Sequence, residues 1–109
     1  MKAGALDRRV QFLRATLQDD GIAQVEVWAH HGAPVWAARR DISDAERWRA
    51  GEVQAHVTTR FTVRWSPFTA DLTPKDRLVE GGREFDISGI KEQGRRAFLE
   101  ITAAARADT

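Results

Sequence analysis

The chain has 109 residues, of which 42% are hydrophobic and 30% charged, with a formal net charge of +1 and no cysteine. This length predicts one domain that buries roughly 60–70% of the surface of its unfolded chain, and the lack of cysteine excludes disulfides, thiolate chemistry and cysteine zinc sites. No apolar run approaches the ~20 residues that span a bilayer, the first residues lack the apolar segment of a secretory signal, and the small net charge does not indicate a nucleic-acid binder.

The N-terminal part of the chain predicts β-strands. Residues 9–17 predict a first strand, and the Asp-Asp-Gly sequence at residues 19–21 predicts the turn that follows it. Residues 25–29 and 35–39 predict a second strand, which is interrupted at residues 31–34 by glycine and proline.

One helix is predicted in the connection after these strands. Ser43 is a candidate N-cap residue and Glu46 stands three residues later, which is the arrangement of a capping box. Gly51 is a candidate C-terminal stop. A helix over residues 43–51 is short and has few apolar side chains, so we expect it to pack through Trp48 or to be mobile.

The clearest strand signal covers residues 55–65, where apolar and polar side chains alternate and β-branched residues are frequent. We expect one face to be buried and the other to meet water or a partner. Ser66-Pro67 ends the strand, since proline cannot donate to a β-ladder. The face predicted to be buried carries Ala55, Val57, Thr59, Phe61, Val63 and Trp65, and the other carries His56, Thr58, Arg60, Thr62 and Arg64.

The C-terminal part predicts a tight hairpin and a last strand. Gly81-Gly82 lies between the strand-like residues 77–80 and 83–87, and two glycines suit a type I′ turn because both central positions need positive φ. We expect a further strand over residues 97–103 and a frayed end over residues 106–109. Within the hairpin, Phe85 and Ile87 are predicted to enter the core, Gly89 to allow a bend or a close backbone approach, and Arg83 and Asp86 to remain free on the rim.

These elements predict an all-β fold, a small β-barrel or sandwich of about six antiparallel strands with one short helix in a long inter-strand connection. The whole chain, 1–109, is predicted as one domain. Its boundaries are an N-terminal arm over residues 1–9, a helix-containing connection over residues 41–54 and a tail over residues 104–109. The arm is charged and lacks a hydrophobic pattern, so we expect it to need a neighbouring chain for order.

No catalytic, cofactor-binding or metal site is predicted. His30 and His31 are adjacent and point to opposite faces of a strand, and no serine stands in a nucleophile elbow. Glu84 and Asp86 share a strand face beside an arginine, which indicates a solvated edge. Residues 81–82 are followed by a strand and not by the helix of a phosphate loop.

Tryptophans interleaved with arginines leave a second interpretation open. Small barrels stack bases of single-stranded nucleic acid on aromatic side chains beside cationic ones, and Arg60 and Arg64 lie on one strand face. Trp65 falls on the apolar face, however, and Trp28 and Trp36 each precede an alanine in a strand-like run, which predicts packing. From the residues alone, an interaction or structural protein is favoured over this binding function.

Several motifs resemble the phage head–tail joining family, to which head-closure or stopper proteins belong. The most specific are Leu-Asp-Arg-Arg at residues 6–9 and Gly-Arg-x-Phe-Asp-Ile-x-Gly-Ile at residues 82–90. Further similar segments follow in the family's order and spacing. These are AGALDRRVQFLR at residues 3–14, VWA at 35–37, VTTRFTVRW at 57–65 and RLVEGGREFDISGIKEQGRR at 77–96.

The resemblance implies a small β-barrel in a virion or gene transfer agent particle, made in the bacterial cytoplasm, that retains packaged DNA and docks the tail. It implies no enzyme activity and no cofactor. The implied partners are copies of the chain in a ring (a hexamer favoured, a dodecamer as the alternative), a portal-side adaptor, a tail terminator or tail tube protein, and double-stranded DNA in the lumen, without a membrane. An adaptor or tail-terminator ring of the same neck is the alternative position.

The resemblance also implies two sets of site residues. Arginines in the first set can make bidentate contacts at subunit junctions. The connection that contains the second set is expected to face the lumen and narrow it. The interface set is Leu6, Asp7, Arg8, Arg9, Arg60, Arg64 and Arg83, and the lumen set is Ser43, Asp44, Glu46, Arg47, Trp48 and Arg49.

Overall fold

The computed structural model describes residues 5–42 and 58–106, which form antiparallel β-strands and one short helix. This confirms the predicted all-β class, whereas the predicted helix over residues 43–51 lies outside the described residues. The elements are β1 (Arg8–Asp19), β2 (Gln24–His30), β3 (Val35–Asp41), β4 (Thr58–Arg64), α1 (Pro67–Ala70), β5 (Arg77–Glu80), β6 (Arg83–Gln93) and β7 (Phe98–Ala105).

The described strands form one sheet that closes on itself. Their order is β2-β1-β3-β4-β7-β6-β5, and β5 also pairs with β1. Strands β2 and β3 both pair with β1, β3 at its start and β2 along its second half, so the predicted second strand is indeed interrupted. Because the sheet closes, six of the described strands have a paired strand on each side. Strand β2 pairs only with β1, so it is the one exposed edge among the described strands.

The core lies inside the closed sheet. Phe61 of β4 and Phe85 of β6 are fully buried, and their rings meet edge-to-face with centroids 5.3 Å apart. The inward positions predicted for β4 are confirmed, since Phe61 and Val63 are buried. The prediction that the other face meets water or a partner is only partly correct, because Arg64 is exposed but Thr58 and Thr62 are 5% and 7% exposed. The largest fully buried side chains are Phe12, Phe61, Phe85, Leu78, Ile101, Val10, Val63 and Thr59.

The Gly-Gly hairpin and the bend in β6 occur where the sequence predicts them. Gly81 and Gly82 have φ values of 62° and 77°, so both take the left-handed conformation that a tight hairpin of this kind requires. Further along, Ile87 pairs with Ala103 and Gly89 with Thr102, so one extra residue bulges from β6.

Helix α1 was not predicted from the sequence. The Ser66 hydroxyl accepts a hydrogen bond from the Thr69 amide, and the Thr69 hydroxyl accepts one from the Ser66 amide, which forms a capping box around Pro67. The helix places Phe68 against Gly32, where an added Cβ would lie 2.4 Å from the Phe68 ring. A turn of four residues thus covers the gap between β2 and β3.

Three boundary predictions need correction. Arg8 and Arg9 lie in β1 and Leu6 is 8% exposed, so residues 6–9 are not an unordered arm. Strand β7 continues to Ala105, beyond the predicted start of the tail. Arg106 is not frayed, because its amide donates to the Glu84 carbonyl at 2.9 Å.

Candidate functional site

An exposed tryptophan lies between two arginines on the outer face of the sheet. Trp36 pairs with Arg9 across β1 and β3, and Arg64 follows on β4, where its neighbour Val63 pairs with Ala37. The indole is 51% exposed, and the Arg9 guanidinium lies 4.6 Å from its ring centroid. The prediction that Trp36 packs inside is therefore wrong. Successive side chains of β3 point to opposite faces of the sheet, and Ala37 is the one that faces the core.

The Trp36 side chain forms one wall of a surface pocket of about 510 Å³, and Leu6, Asp7 and Arg64 also line it. We call Leu6, Asp7, Arg9, Trp36 and Arg64 the Trp36 patch. Four of its five members belong to the predicted interface set, and Trp36 is the member that sequence reasoning missed. An aromatic side chain beside arginines has the composition typical of protein interfaces.

The other members of the predicted interface set lie elsewhere. The Arg8 guanidinium is 3.7 Å from the buried Glu80 carboxylate, and that of Arg60 is 3.8 Å from Glu100. Arg83 is exposed beside the Gly-Gly turn. The structure therefore brings together Leu6, Asp7, Arg9 and Arg64 and separates Arg8, Arg60 and Arg83 from them.

A polar network fastens the ends of the connection between β3 and β4. The Ile42 amide donates to the Thr58 carbonyl at 3.0 Å, and the Thr59 hydroxyl donates to Asp41 at 3.0 Å. Burial raises the pKa of Asp41, but hydrogen bonds from Thr59 and Arg39 outweigh burial and hold that pKa below its ordinary value. The connection therefore leaves and rejoins the sheet at one fixed stem.

The same network reaches the Gly-Gly hairpin through Arg39, whose guanidinium donates to both oxygens of the Glu80 carboxylate, at 3.2 and 3.4 Å. Glu80 is 3% exposed, so this pair is one of the buried ion pairs of the described chain. The predicted lumen residues, 43–49, lie outside the described residues.

A second ion-pair network joins β1 to the segment between α1 and β5. Arg14 donates to both oxygens of Asp76, at 3.0 and 2.9 Å, and also to the carboxylate and carbonyl oxygens of Asp71, at 2.8 and 3.0 Å. Hydrogen bonds to Asp76 and then Asp71 raise the pKa of Arg14. Burial raises the pKa of Asp76, but the hydrogen bonds from Arg14 and from the Thr73 amide outweigh burial, and the net shift of this pKa is downward.

A third network corrects the prediction that Asp86 is free. Arg77 and Arg106 both bind the Asp86 carboxylate, at 3.1 and 2.9 Å, and both also approach Glu84 at 3.2 Å. The Arg77 guanidinium stacks 3.9 Å from the ring centroid of the half-buried Trp28. The carboxylate pair thus serves ion pairing between β5, β6 and the end of β7.

The turn between β1 and β2 presents apolar side chains to water. Ile22 is 95% exposed and Leu17 65%. The Asp20 carboxylate accepts hydrogen bonds from the amides of Ala23 and Ile22, at 2.8 and 2.9 Å, and these bonds lower the pKa of Asp20. The Asp19 carboxylate accepts another from Gly21 at 2.8 Å, so the turn has a defined shape.

Within residues 5–42 and 58–106, no group of three or more histidine, aspartate or glutamate side chains is arranged to hold a metal ion. In the same part of the chain, no helix has the length and apolar character that crossing a membrane requires.

In the described residues, the distinctive side chains of this closed β sheet lie in a surface patch and in ion-pair networks. The sequence profile of phage head completion proteins matches residues 1–106, nearly the whole chain. The chain belongs to the phage head completion protein family, and it is a structural component of a virion and not an enzyme. The resemblance found in its sequence motifs is thereby confirmed.

Solved structures that are similar to this chain include the following two. One comes from the virion of a native gene transfer agent particle: it has 30% sequence identity, a TM-score of 0.64, and coverage of 91% of this chain and 93% of the other. The other is the solution structure of protein SF1141 from Shigella flexneri 2a, with 24% identity, a TM-score of 0.81 and full coverage of both chains, which supports the fold alone. No curated protein matches the chain.

Proposed function

We propose that the chain is a head-closure, or stopper, subunit that forms a ring between the portal–adaptor complex and the tail of a tailed phage or gene transfer agent. In this role the ring retains packaged double-stranded DNA and docks the tail. The observation that carries the proposal is the match to head completion proteins over residues 1–106. The 30% identity to a chain of a gene transfer agent virion adds to it.

The Trp36 patch supports a role in assembly. A ring repeats one heterologous contact until it closes, so each subunit needs two dissimilar surfaces. An exposed tryptophan flanked by Arg9 and Arg64 and backed by a pocket of about 510 Å³ provides one such surface. Within the ring proposal, a hexamer is favoured and a dodecamer is the alternative.

The connection between β3 and β4 is assigned to the lumen in this proposal. Its stem is fixed by the Ile42–Thr58 hydrogen bond and by the Asp41–Thr59 contact, so the sheet can carry it without relying on it for closure. Its sequence mixes both signs of charge at Asp44, Glu46, Arg47 and Arg49. Such a mixture suits a DNA channel, because each added phosphate contact would steepen salt-sensitive binding and hinder passage.

Replacing residues 44–50 with a glycine–serine linker of equal length tests the assignment. We expect the variant to fold and its particles to package DNA, but filled heads to lose that DNA when isolated, measured as nuclease-accessible DNA. A linker that replaces the exposed β6–β7 turn instead, at residues 94–97, is the control for nonspecific damage. Full DNA retention by the 44–50 variant, or its failure to fold, would contradict a lumen role.

The level that the ring occupies between head and tail distinguishes a stopper from an adaptor and from a tail terminator. An adaptor ring sits against the portal, a tail-terminator ring sits against the tail tube, and a stopper lies between them. A map of the intact particle that assigns the chain to one level decides among these roles.

Binding of single-stranded nucleic acid is a second candidate function, favoured by one observation. Trp36 is half exposed and lies beside two arginines, which is the kind of surface on which bases stack. This function predicts micromolar or tighter binding with steep salt dependence, weakened by Trp36→Ala or Arg64→Ala. Negligible binding at low salt would exclude it.

A further inference from the structure

The β1–β2 hairpin extends past the closed part of the sheet. Strand β1 pairs with β5 only at residues 11–13, whereas its pairing with β2 runs from Leu13 to Asp19. Within the described chain, the outer part of the hairpin is therefore two strands wide. It leaves the body of the domain at Arg14, the residue that the Asp71 and Asp76 carboxylates hold.

The tip of this hairpin, residues 17–26, exposes three apolar side chains that the fold does not bury, of which Leu17 and Val25 lie on opposite faces because Leu17 pairs with Glu26 and Val25 with Gln18. Leu17, Ile22 and Val25 are 65%, 95% and 41% exposed. The carboxylate hydrogen bonds to the turn amides fix the backbone around Ile22, so docking it costs little conformational entropy. An apolar side chain held rigidly in water has the properties of a docking anchor.

The tip and the Trp36 patch both combine apolar and charged side chains, and their predominant charges are opposite. Exposed carboxylates flank the apolar tip at Asp19, Asp20 and Glu26, while Arg9 and Arg64 outnumber Asp7 around the pocket beside Trp36. The pocket has apolar walls from Leu6 and Trp36 and a volume of about 510 Å³, which accommodates an aliphatic side chain. Opposite charges around an apolar contact fix its register and suppress wrong partners.

The two surfaces lie at opposite ends of β1, so one copy cannot join them within itself. The strand has 12 residues, and an extended strand rises about 3.3 Å per residue, which places the ends roughly 40 Å apart. The domain measures 48 Å along its longest axis. A contact between the two surfaces therefore requires a second copy and is heterologous, as a ring needs.

We propose that each subunit of the ring inserts Ile22, at the tip of its β1–β2 hairpin, into the pocket of the Trp36 patch of the next copy. The inference rests on the proposed ring function and names the two surfaces that meet. Asp19, Asp20 and Glu26 face Arg9 and Arg64 across this junction, and Trp36 covers the inserted side chain.

Disulfide trapping tests the junction directly, because the chain has no cysteine of its own. The double variant Asp7→Cys with Ala23→Cys places one thiol at the pocket and one beside Ile22, and both positions are exposed. We expect mild oxidation of purified particles to produce a ladder of multimers on a non-reducing gel, up to the ring order. Either single variant should give no ladder.

The outcomes separate this inference from the proposed function. Particles that contain the chain and close their heads, but yield no ladder, would overturn the junction and leave the stopper role standing. A disulfide-linked dimer from Ala23→Cys alone would indicate that two tips contact each other. A map of the particle in which the tip contacts another virion protein would assign the tip to that partner. Each result contradicts the proposal. Absence of the wild-type chain from particles would overturn the function as well.

A second measurement uses substitutions at the anchor. Ile22→Ser should raise the concentration at which subunits assemble by about 10-fold or more, since it removes the apolar burial of one side chain without adding a charge. Ile22→Val, the matched control, should shift it by less than about 5-fold. The melting temperature of the monomer should not change in either variant, because Ile22 is 95% exposed. Equal assembly of Ile22→Ser and wild type would refute the junction.

Discussion

Replacing Arg14 with methionine removes the guanidinium that joins β1 to the segment before β5 while it keeps most of the apolar stem. Four hydrogen bonds are lost, two to Asp76 and two to Asp71. The Asp76 carboxylate, which is 3% exposed, keeps the Thr73 amide as a donor. The variant therefore leaves a buried charge with much of its compensation removed.

The expected loss of stability in Arg14→Met depends on how exposed Arg14, Asp71 and Asp76 are. Removing one partner of a buried ion pair costs about 3–5 kcal/mol. The side chains of Arg14 and Asp71 are 33% and 63% exposed, so water replaces part of what is lost and only the Asp76 part carries the full penalty. We expect a loss of about 2–4 kcal/mol in the free energy of unfolding, out of the roughly 5–15 kcal/mol typical of a domain. The melting temperature should fall by about 10–20 °C.

The difference in stability between wild type and Arg14→Met should depend on pH in a definite direction. The pKa of the Asp76 carboxyl is lowered from the ordinary value of 3.8 in the folded protein. A carboxyl with a lowered pKa stabilises the fold above its unfolded value, and this contribution is lost as the pH falls through the folded value. The gap in stability between wild type and Arg14→Met should therefore be full at pH 7 and shrink below about pH 4.

Urea denaturation at pH 7 and at lower pH, with a double-mutant cycle, measures these quantities. In the cycle, Asp76→Asn removes the buried charge, so adding Arg14→Met to it should cost less than Arg14→Met costs in the wild type. A loss below about 0.5 kcal/mol at pH 7, or strict additivity with Asp76→Asn, would refute the assignment of a buried, coupled pair.

Two matched comparisons test the core and the turns. Phe61→Ala should lower the free energy of unfolding, measured with denaturant, by about 3–5 kcal/mol because Phe61 is fully buried. Trp36→Ala should lower it by less than about 1 kcal/mol, because Trp36 is 51% exposed. Similar losses at both sites would contradict the assignment of inner and outer faces. Gly32→Ala should lower the free energy of unfolding by about 2 kcal/mol more than Gly81→Ala does. Both glycines have positive φ, but of the two only Gly32 has a side chain in the way of the new Cβ, since the Phe68 ring lies 2.4 Å from it. Equal melting temperatures for the two glycine variants would disprove the contact.

Local patterns predicted local structure well. Alternation in residues 55–65 identified the inward positions of β4, and the paired glycines identified a hairpin whose φ values are both positive. These features depend on side chains one or two residues apart, which the sequence displays directly. Helix α1 also has a local signal, Ser66-Pro67 followed by Thr69, but proline was interpreted as the end of a strand and not as the first residue of a helix.

Contacts between distant residues could not be predicted in the same way. Arg14 and Asp76 are 62 positions apart, and only the pairing of β1 with β5 brings their side chains together. Trp36 precedes an alanine in a strand-like run, which predicts packing, yet the small Ala37 takes the inward position in β3 and the indole stacks on Arg9 outside. Composition does not reveal which parity of a short strand faces the core when both carry apolar side chains.

The clamped stem between Ile42 and Thr58 has a practical consequence for engineering. The hydrogen bond there and the adjacent Thr59–Asp41 hydrogen bond hold the two chain ends together whatever joins them, and loop-closure entropy rises by only about 0.6 kcal/mol for each doubling of loop length. Foreign peptides grafted between these two positions should thus leave the host scaffold intact. Phage-display libraries and affinity tags could be built at that point of the chain.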